Sequence, residues 1–319
     1  LKLEILVLGG TQFIGLRLVE LLVRQSHRVT VLNRGVSPAT LPESVSRLTG
    51  DRFEPESIAV ALRGRKFDVV MDISAQAPVE IQPVLEALAG NFGQYVLCGT
   101  VGYYTPGDIA PIREDHPVDE SAPKILSEKL LMSAAADDGF TATVLRAPVV
   151  YGPHNSILNR EAAFFARLSR GRPIILADDG MALLHSVHVD DLAAAFLLVA
   201  GNDLAAGQIY NVCDSAAYTH RGYAATIAEA MGLPLQPVFI ADSKLMDEAA
   251  TLVPGIFPFG TVDICVYNDE KIRWGLGWRS AYALLEGMVM TYQWWLDQGG
   301  DKAECDYSAE DALLARLNS

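Results

Sequence analysis

Leu3-Glu4-Ile5-Leu6-Val7-Leu8 runs directly into Gly9-Gly10-Thr11-Gln12-Phe13-Ile14-Gly15. Residues Phe13 to Arg24 then place Ile14, Leu18, Leu21 and Leu22 at helical spacing. A glycine-rich strand-to-helix turn lets backbone N–H groups close on a pyrophosphate, and the helix N-terminus adds its positive dipole end. Gly15 lets helix and strand pack closely. This is the chemistry of a dinucleotide site. A second apolar run, Arg28 to Leu32, ends at Asn33-Arg34-Gly35. Sites for NAD carry Asp or Glu here, to bind the ribose 2′-OH. This chain has no carboxylate at the tip and offers a guanidinium instead. Arg matches phosphate in a fork geometry, which favours NADP over NAD. Arg34 stacked on adenine or turned to solvent is the alternative. Asp51, in Gly50-Asp51-Arg52, is placed to accept from the adenine amino group, and Arg52 is a second cation for the 2′-phosphate.

Such residues need a parallel sheet to hold them. Further short apolar runs are expected as strands at Ser46 to Thr49, Phe67 to Met71, Tyr95 to Cys98 and Ala142 to Leu145. Helical patterns separate them at Pro55 to Leu62, Val79 to Ala89 and Ser127 to Ala136. This alternation implies βαβ units, right-handed crossovers and an α/β fold with a doubly wound parallel sheet. Residues 1–150 are expected to form a Rossmann domain. After Tyr151-Gly152-Pro153 helices dominate, at Arg160 to Ser169, Asp190 to Ala200, Gly222 to Met231 and Tyr282 to Leu296. Residues 151–319 are expected to form mainly a smaller, mixed α/β substrate lobe. The chain is expected to return to the first sheet near 184–187 and 208–213. The closing DYSAEDALLARLNS reads as a peripheral helix or tail.

Composition narrows the function classes. Lys plus Arg is 25 and Asp plus Glu is 39, a net charge of −14. That balance argues against wrapping a nucleic-acid backbone, but it does not oppose a small anion in a local pocket. The expected partner is a small molecule. No run of about 20 apolar residues is present to span a membrane. The opening residues are too short an apolar stretch for a signal peptide, so a cytoplasmic protein is expected. Cys98, Cys213, Cys265 and Cys305 lie far apart, as reduced structural cysteines do, and no metal-ligand set is expected.

GGTQFIG, VLNRG, GDRFEP, FDVVMDISA, YVLCGTVGYY, LRAPVVYGPHN, HVDDLAAAF, YNVCD and LGW occur in the order found in extended short-chain dehydrogenases/reductases. The chain resembles the NAD-dependent epimerase/dehydratase family over about residues 1–300. It is similar to the GGTxFIG branch, which includes nucleotide-sugar epimerase-like and chloroplast stem-loop-binding proteins. The resemblance implies oxidoreduction, epimerisation or dehydration through a bound nicotinamide. It assigns Gly9, Thr11, Gln12, Phe13, Ile14, Gly15, Asn33, Arg34, Asp51, Arg52, Ser74, Ala75, Pro148 and Val149 to the cofactor. The family's middle glycine is Gln12 here, so a side chain stands near the pyrophosphate. A homodimer through the helices at 79–89 and 121–136 is also implied.

Family members use a Ser or Thr, a Tyr, and a Lys four residues after the Tyr. Tyr moves the proton, Lys holds the nicotinamide ribose and lowers the Tyr pKa, and the hydroxyl polarises the substrate oxygen. Thr100 matches the hydroxyl position. In Pro123-Lys124-Ile125-Leu126-Ser127-Glu128-Lys129 there is no tyrosine. One register puts Ile125 at the Tyr position and Lys129 at the Lys position, which makes Lys129 a catalytic and ribose-binding residue. The register shifted by one puts Lys124 and Glu128 there. The acid/base work then falls to Tyr103 or Tyr104, close to Thr100, with Glu128, Asp115, His154 and His185 as further candidates. A dinucleotide-binding sensor or scaffold without catalysis is the rival function. On the substrate side the resemblance points to Tyr103, His154, Asn155 and His185. The family's diphosphate-binding cation is missing from Met181 to His185. Arg160, Arg167, Arg170 and Arg172 could compensate, and Pro254 to Gly260 could lie over the cleft as an apolar lid.

Overall fold

Alternate residues of the first strand serve opposite cores. β1 (Glu4–Leu8) turns Ile5 and Val7 to one face of its sheet and Leu6 and Leu8 to the other, and all four are fully buried. A strand buried on both faces must be apolar throughout, which is why these strands read as unbroken runs. The structure is a computed structural model describing residues 2–317 apart from 38, 158 and 261–265. Cys265 lies outside the described residues. Cys98 and Cys213 are buried free thiols, and Cys305 is an exposed one.

The chain forms two units. The first comprises residues 1–150, 187–213 and 267–281. Its elements are β1, α1 (Phe13–Arg24), β2 (Arg28–Asn33), β3 (Ser46–Thr49), α2 (Pro55–Leu62), β4 (Phe67–Asp72), α3 (Pro78–Ala87), β5 (Phe92–Thr100), α4 (Pro123–Asp138) and β6 (Thr141–Ala147). After β7 (Val149–Tyr151), α5 (Glu161–Leu168), β8 (Ile174–Ala177) and β9 (Leu183–His188), the chain adds α6 (Val189–Val199) and β10 (Gln208–Asn211) to this unit. The seven strands run in the order β10-β6-β5-β4-β1-β2-β3, every neighbouring pair parallel. The strand order reverses between β1 and β4. Open α/β sheets bind their ligands in the crevice at that reversal, beyond the carboxyl ends of the strands. α1 and α6 cover one face through Leu18, Leu22, Leu192 and Phe196. α2, α3 and α4 cover the other through Ile58, Leu62, Ile81, Val84 and Leu131. Each such side chain contributes roughly 1.5–3 kcal/mol by leaving water.

Strand β10 joins the sheet where a return was expected, but β9 does not. β9 pairs antiparallel with β11 (Ala217–Thr219), His185 opposite Ala217. Its polar His185 and Ser186 are buried against Asp214 rather than in the apolar sheet. The second unit takes residues 151–186, 214–266 and 282–319. It adds α7 (His220–Ala230), β12 (Pro237–Ile240) and α8 (Ser243–Leu252); α9 (Glu270–Leu276) belongs to the first unit, and α10 (Leu284–Asp297) and α11 (Ser308–Leu317) complete the second. β8 and β12 form a parallel pair. α11 is not peripheral. Leu313 is fully buried beside Ile240 and Ala249, and the buried carboxylate of Glu310 receives both Arg167 and Arg172.

His188 lies at the N-terminal end of α6, where its Nδ1 accepts the N–H of Asp190 at 3.3 Å. Burial pushes its pKa down from 6.5 to about 4. The unfolded chain therefore binds a proton between these values that the folded chain refuses. Stability is expected to fall as pH drops from 6.5 toward 4, by at most about 3 kcal/mol, and to level off below. Urea unfolding at pH 7 and pH 4.5 measures this, and His188→Gln should remove that part of the slope.

Candidate functional site

The turn after β1 is shaped for an anion. Gly9 has φ +85°, and a Cβ there would lie 2.7 Å from the Cβ of Ser74. A Cβ on Gly15 would overlap the carbonyl oxygen of Gly9 and come within 2.9 Å of the Cα of Gly10. Phe13 enters α1 at φ +40°, a strained value for a side chain of this size, costing roughly 1–3 kcal/mol. Gln12 precedes α1 without capping it, and its amide lies 3.4 Å from the Ser37 hydroxyl. No acidic residue stands in the first turn. The first turn of α1 thus adds no negative charge of its own to the positive end of the helix, as an anion-binding turn requires. Thr11 and Phe13 are buried and Ile14 is half-buried, so these three shape the turn and can reach a ligand mainly through their backbone.

Beyond this turn lie the tips of β2 and β3, held together by a bond from the Gly50 N–H to the Asn33 carbonyl. The Asn33 side chain accepts from the Gly35 N–H at 2.8 Å, fixing the bend that exposes Arg34. Asp51 accepts from the Phe53 N–H at 3.0 Å and remains half-buried. Arg52 is not a free cation. Its guanidinium meets Asp72 through two bonds of 3.0 and 3.1 Å, and also reaches the Ser74 hydroxyl. Asp72 is fully buried, accepts the Tyr95 hydroxyl at 2.7 Å, and takes the N–H groups of Ser74 and Ala75. Burial works against the Arg52 charge, but Asp72 outweighs it and holds the pKa up. The pair is neutral as a whole, whereas the exposed Arg34 forms no ion pair among the described residues. Ser74 stays exposed beside Gly9, whereas Ala75 is buried in the core and offers no side-chain surface. Pro148 and Val149, just past β6, are half-buried.

Helix α4 settles the register. Pro123 occupies its first turn and fixes its phase. Lys124 and Glu128 then fall one turn apart on the side toward β5 and β6. The Lys124 ammonium donates to the Cys98 carbonyl at 3.1 Å. Glu128 is buried and receives Arg146 of β6 through bonds of 2.6, 3.1 and 3.2 Å. Gly99 makes room: a Cβ there would lie 2.7 Å from the Glu128 carboxylate. Burial raises the Glu128 pKa and Arg146 restrains the rise, while Glu128 holds the Arg146 guanidinium protonated against the cost of its own burial. Lys129 points outward, 53% exposed, and pairs with Glu120. Lys129 thus faces solvent while Lys124 and Glu128 face the sheet; one residue along a helix is about 100° of rotation, enough to move a side chain from the sheet to solvent. Ile125 is 1% exposed and cannot move a proton.

Thr100 ends β5, and its hydroxyl oxygen accepts the Gly102 N–H at 3.1 Å. Tyr104 is committed elsewhere. Its hydroxyl donates to Asn211 at 2.7 Å, and Arg146 lies 5.0 Å over its ring. Asn211 in turn donates to the carbonyls of Ile112 and Asn268. Burial raises the Tyr104 pKa despite Arg146, and the bond to Asn211 lets this phenol tie segments together. Tyr103 is half-buried, and its carbonyl accepts the Asp119 N–H.

In the second unit the residues expected to meet substrate are largely turned inward. Asn155 donates to Glu161 at 2.7 Å, and Glu161 also accepts the Tyr223 hydroxyl at 2.8 Å. Burial raises the Glu161 pKa. His185 is buried with Nε2 2.8 Å from the Asp214 carbonyl. His154 has φ +67° and lies 5.3 Å from the Trp294 ring. Arg167 and Arg172 are held by Glu310, and Arg170 donates to the Ala303 carbonyl at 2.6 Å. Arg160 stacks 5.2 Å over Phe259. Phe257 and Phe259 border a small cleft also lined by Phe164, Ile256 and His220. Among the described residues no helix is long and apolar enough to cross a membrane.

Comparison with known proteins agrees with this construction. The chain is 33% identical to the chloroplast stem-loop binding protein of 41 kDa b of Arabidopsis thaliana, over 98% of this chain and 84% of that one. It is 29% identical to 2′-dehydrokanamycin reductase of Streptomyces kanamyceticus, over 75% of this chain and 69% of that one. In fold it is similar to the UDP-glucose 4-epimerase of Thermotoga maritima solved with UDP-glucose, with TM-score 0.77 at 21% identity, covering 92% of this chain and 99% of that one. The Thermus thermophilus UDP-glucose 4-epimerase solved with NAD gives TM-score 0.73 at 24% identity, covering 92% of this chain and 98% of that one. Residues 5–213, which run from β1 through β10, match the NAD dependent epimerase/dehydratase family, and the chain belongs to that family.

Proposed function

We propose that the protein is an NADP-preferring oxidoreductase acting on a carbonyl or alcohol of a small polar or natural-product substrate that carries no pyrophosphate. The observation that carries the cofactor preference is Arg34, exposed at the tip of β2 with no carboxylate beside it on that strand end. The glycine turn and the N-terminus of α1 would hold the pyrophosphate, Asp51 the adenine amino group, and Thr100 a substrate oxygen. NADP(H) supplies or takes up the hydride when bound. The substrate class is supported by the second unit, where Arg167, Arg170 and Arg172 are engaged by other parts of that unit. A nucleotide-sugar diphosphate would have to displace those bonds. The kanamycin-related relative is named as a reductase, which agrees with a substrate of this kind. The stem-loop-binding relative brings a nucleic-acid reading, and the net charge of −14 weighs against it.

Arg34→Ala tests the preference. Calorimetric titration should show NADP+ binding at least about 10-fold weaker, with NAD+ binding within about 2-fold of wild type, as loss of a charge-assisted phosphate contact implies. Tighter binding of NAD+ than NADP+ by the unaltered protein would contradict it.

A further inference from the structure

We propose that Lys124 is the proton donor of this site; the inference rests on the oxidoreductase function proposed above. The ammonium of Lys124 is anchored to the carbonyl of Cys98, two residues before Thr100 on β5. One of its three N–H groups makes that bond, and two remain for a ligand. Glu128 acts on Lys124 through space but makes no ion pair with it among the described residues. Three bonds from Arg146 already occupy that buried carboxylate, so Lys124, Glu128 and Arg146 together keep a net positive charge at the ends of β5 and β6. The absence of a side chain at Gly99 allows Glu128 to lie there at all. Of the neighbouring groups, the Tyr104 hydroxyl is given to Asn211, Ile125 is aliphatic, and Lys129 is paired with Glu120 outside, while Tyr103 is the other phenol near Thr100. A phenol held by a lysine has thus been replaced by a lysine held by a strand carbonyl, with an acid–arginine pair filling the second position.

As the substrate carbonyl carbon accepts a hydride from the reduced nicotinamide, one Lys124 N–H proton passes to the carbonyl oxygen. The C=O becomes CH–OH, the nicotinamide is left oxidised, and the neutral amine regains its proton from water. Thr100 donates its hydroxyl proton as a hydrogen bond to the same oxygen. A cation next to a developing alkoxide stabilises it, which lowers the barrier to hydride transfer in either direction.

The test uses the full chain. Reductive methylation of lysines with formaldehyde and borohydride, read by peptide mass spectrometry, is run with and without NADP+ after calorimetry has established binding. Lys124 should be protected several-fold by NADP+, and Lys129 should be labelled equally in both samples. NADPH oxidation at 340 nm with isatin as the ketone probe should be at least about 100-fold slower in Lys124→Met than in the unaltered protein, the scale of a lost general acid. Equal labelling of Lys124 with NADP+ bound, or turnover in Lys124→Met within 2-fold of the unaltered protein, would overturn the assignment alone. Absence of NADP+ binding would overturn it together with the proposed function. The labelling arm needs no variant and stands even if Lys124→Met fails to fold.

Discussion

Gly15→Ala is expected to lose NADP+ binding by at least about 100-fold. The new methyl group would overlap the Gly9 carbonyl oxygen and press on the Gly10 Cα, both backbone atoms. A flexible side chain could swing away, but this turn cannot. Either α1 shifts outward or the turn opens, and in both cases the amide groups leave the positions a pyrophosphate needs. Overpacking of this kind also lowers stability by about 1–3 kcal/mol. Gly275→Ala in α9 is the matched control, because nothing lies within 4 Å of a Cβ there. Its affinity should stay within about 2-fold of wild type, and helix propensity predicts a slight gain in stability. Calorimetry and thermal melting of both variants give the comparison. Normal NADP+ affinity in Gly15→Ala would remove the turn from the account of the site.

Arg146→Met carries the second large effect. It strands Glu128, which is buried beneath the ends of β5 and β6 and has Arg146 as its charged hydrogen-bond partner. Breaking a buried pair from one side costs about 3–5 kcal/mol, because the remaining charge is left without compensation. Urea unfolding should show that loss at pH 7. It should shrink at pH 5, since the stranded carboxyl, already pushed up by burial, then takes a proton more readily. Adding Glu128→Gln to Arg146→Met should recover more than half of the lost stability, as neither charge is then buried alone. If the double variant is as unstable as the single one, the pair is not what holds this corner together. Tyr104 would be a further reporter, because Arg146 lies over its ring and the tyrosine anchors the segment around Asn211.

The parallel sheet was legible because its strands are buried on both faces. Ile5, Leu6, Val7 and Leu8 have no solvent side, so the run is uninterrupted apolar and its length marks the strand. The second unit was harder to read. β9 is written LLHSVH, and its polar positions are buried by local bonds to Asp214 that no periodicity displays. The segment of α11 reads as a peripheral helix or tail, yet Glu310 is buried by two arginines more than 130 positions earlier in the chain. The same limit applied to the site. The glycine turn and Arg34 follow from local spacing, and Thr100 from the family resemblance. The choice between Lys124 and Lys129 depends on helix phase, and the one local signal for it was Pro123 at the start of α4. Arg52 appeared available because its partner Asp72 lies 20 residues along, at the end of β4, which the sheet separates from β3 by β1 and β2.

A crystal structure of the protein with NADP+ tests the central claim most directly. The account predicts the pyrophosphate on the backbone of residues 9–15 and the 2′-phosphate paired with Arg34. It also predicts the Lys124 ammonium and the Thr100 hydroxyl converging, at about 2.6–3.2 Å, on one position beside C4 of the nicotinamide. A nicotinamide ring lying out of reach of both Lys124 and Thr100, or a 2′-phosphate facing solvent away from Arg34, would contradict it.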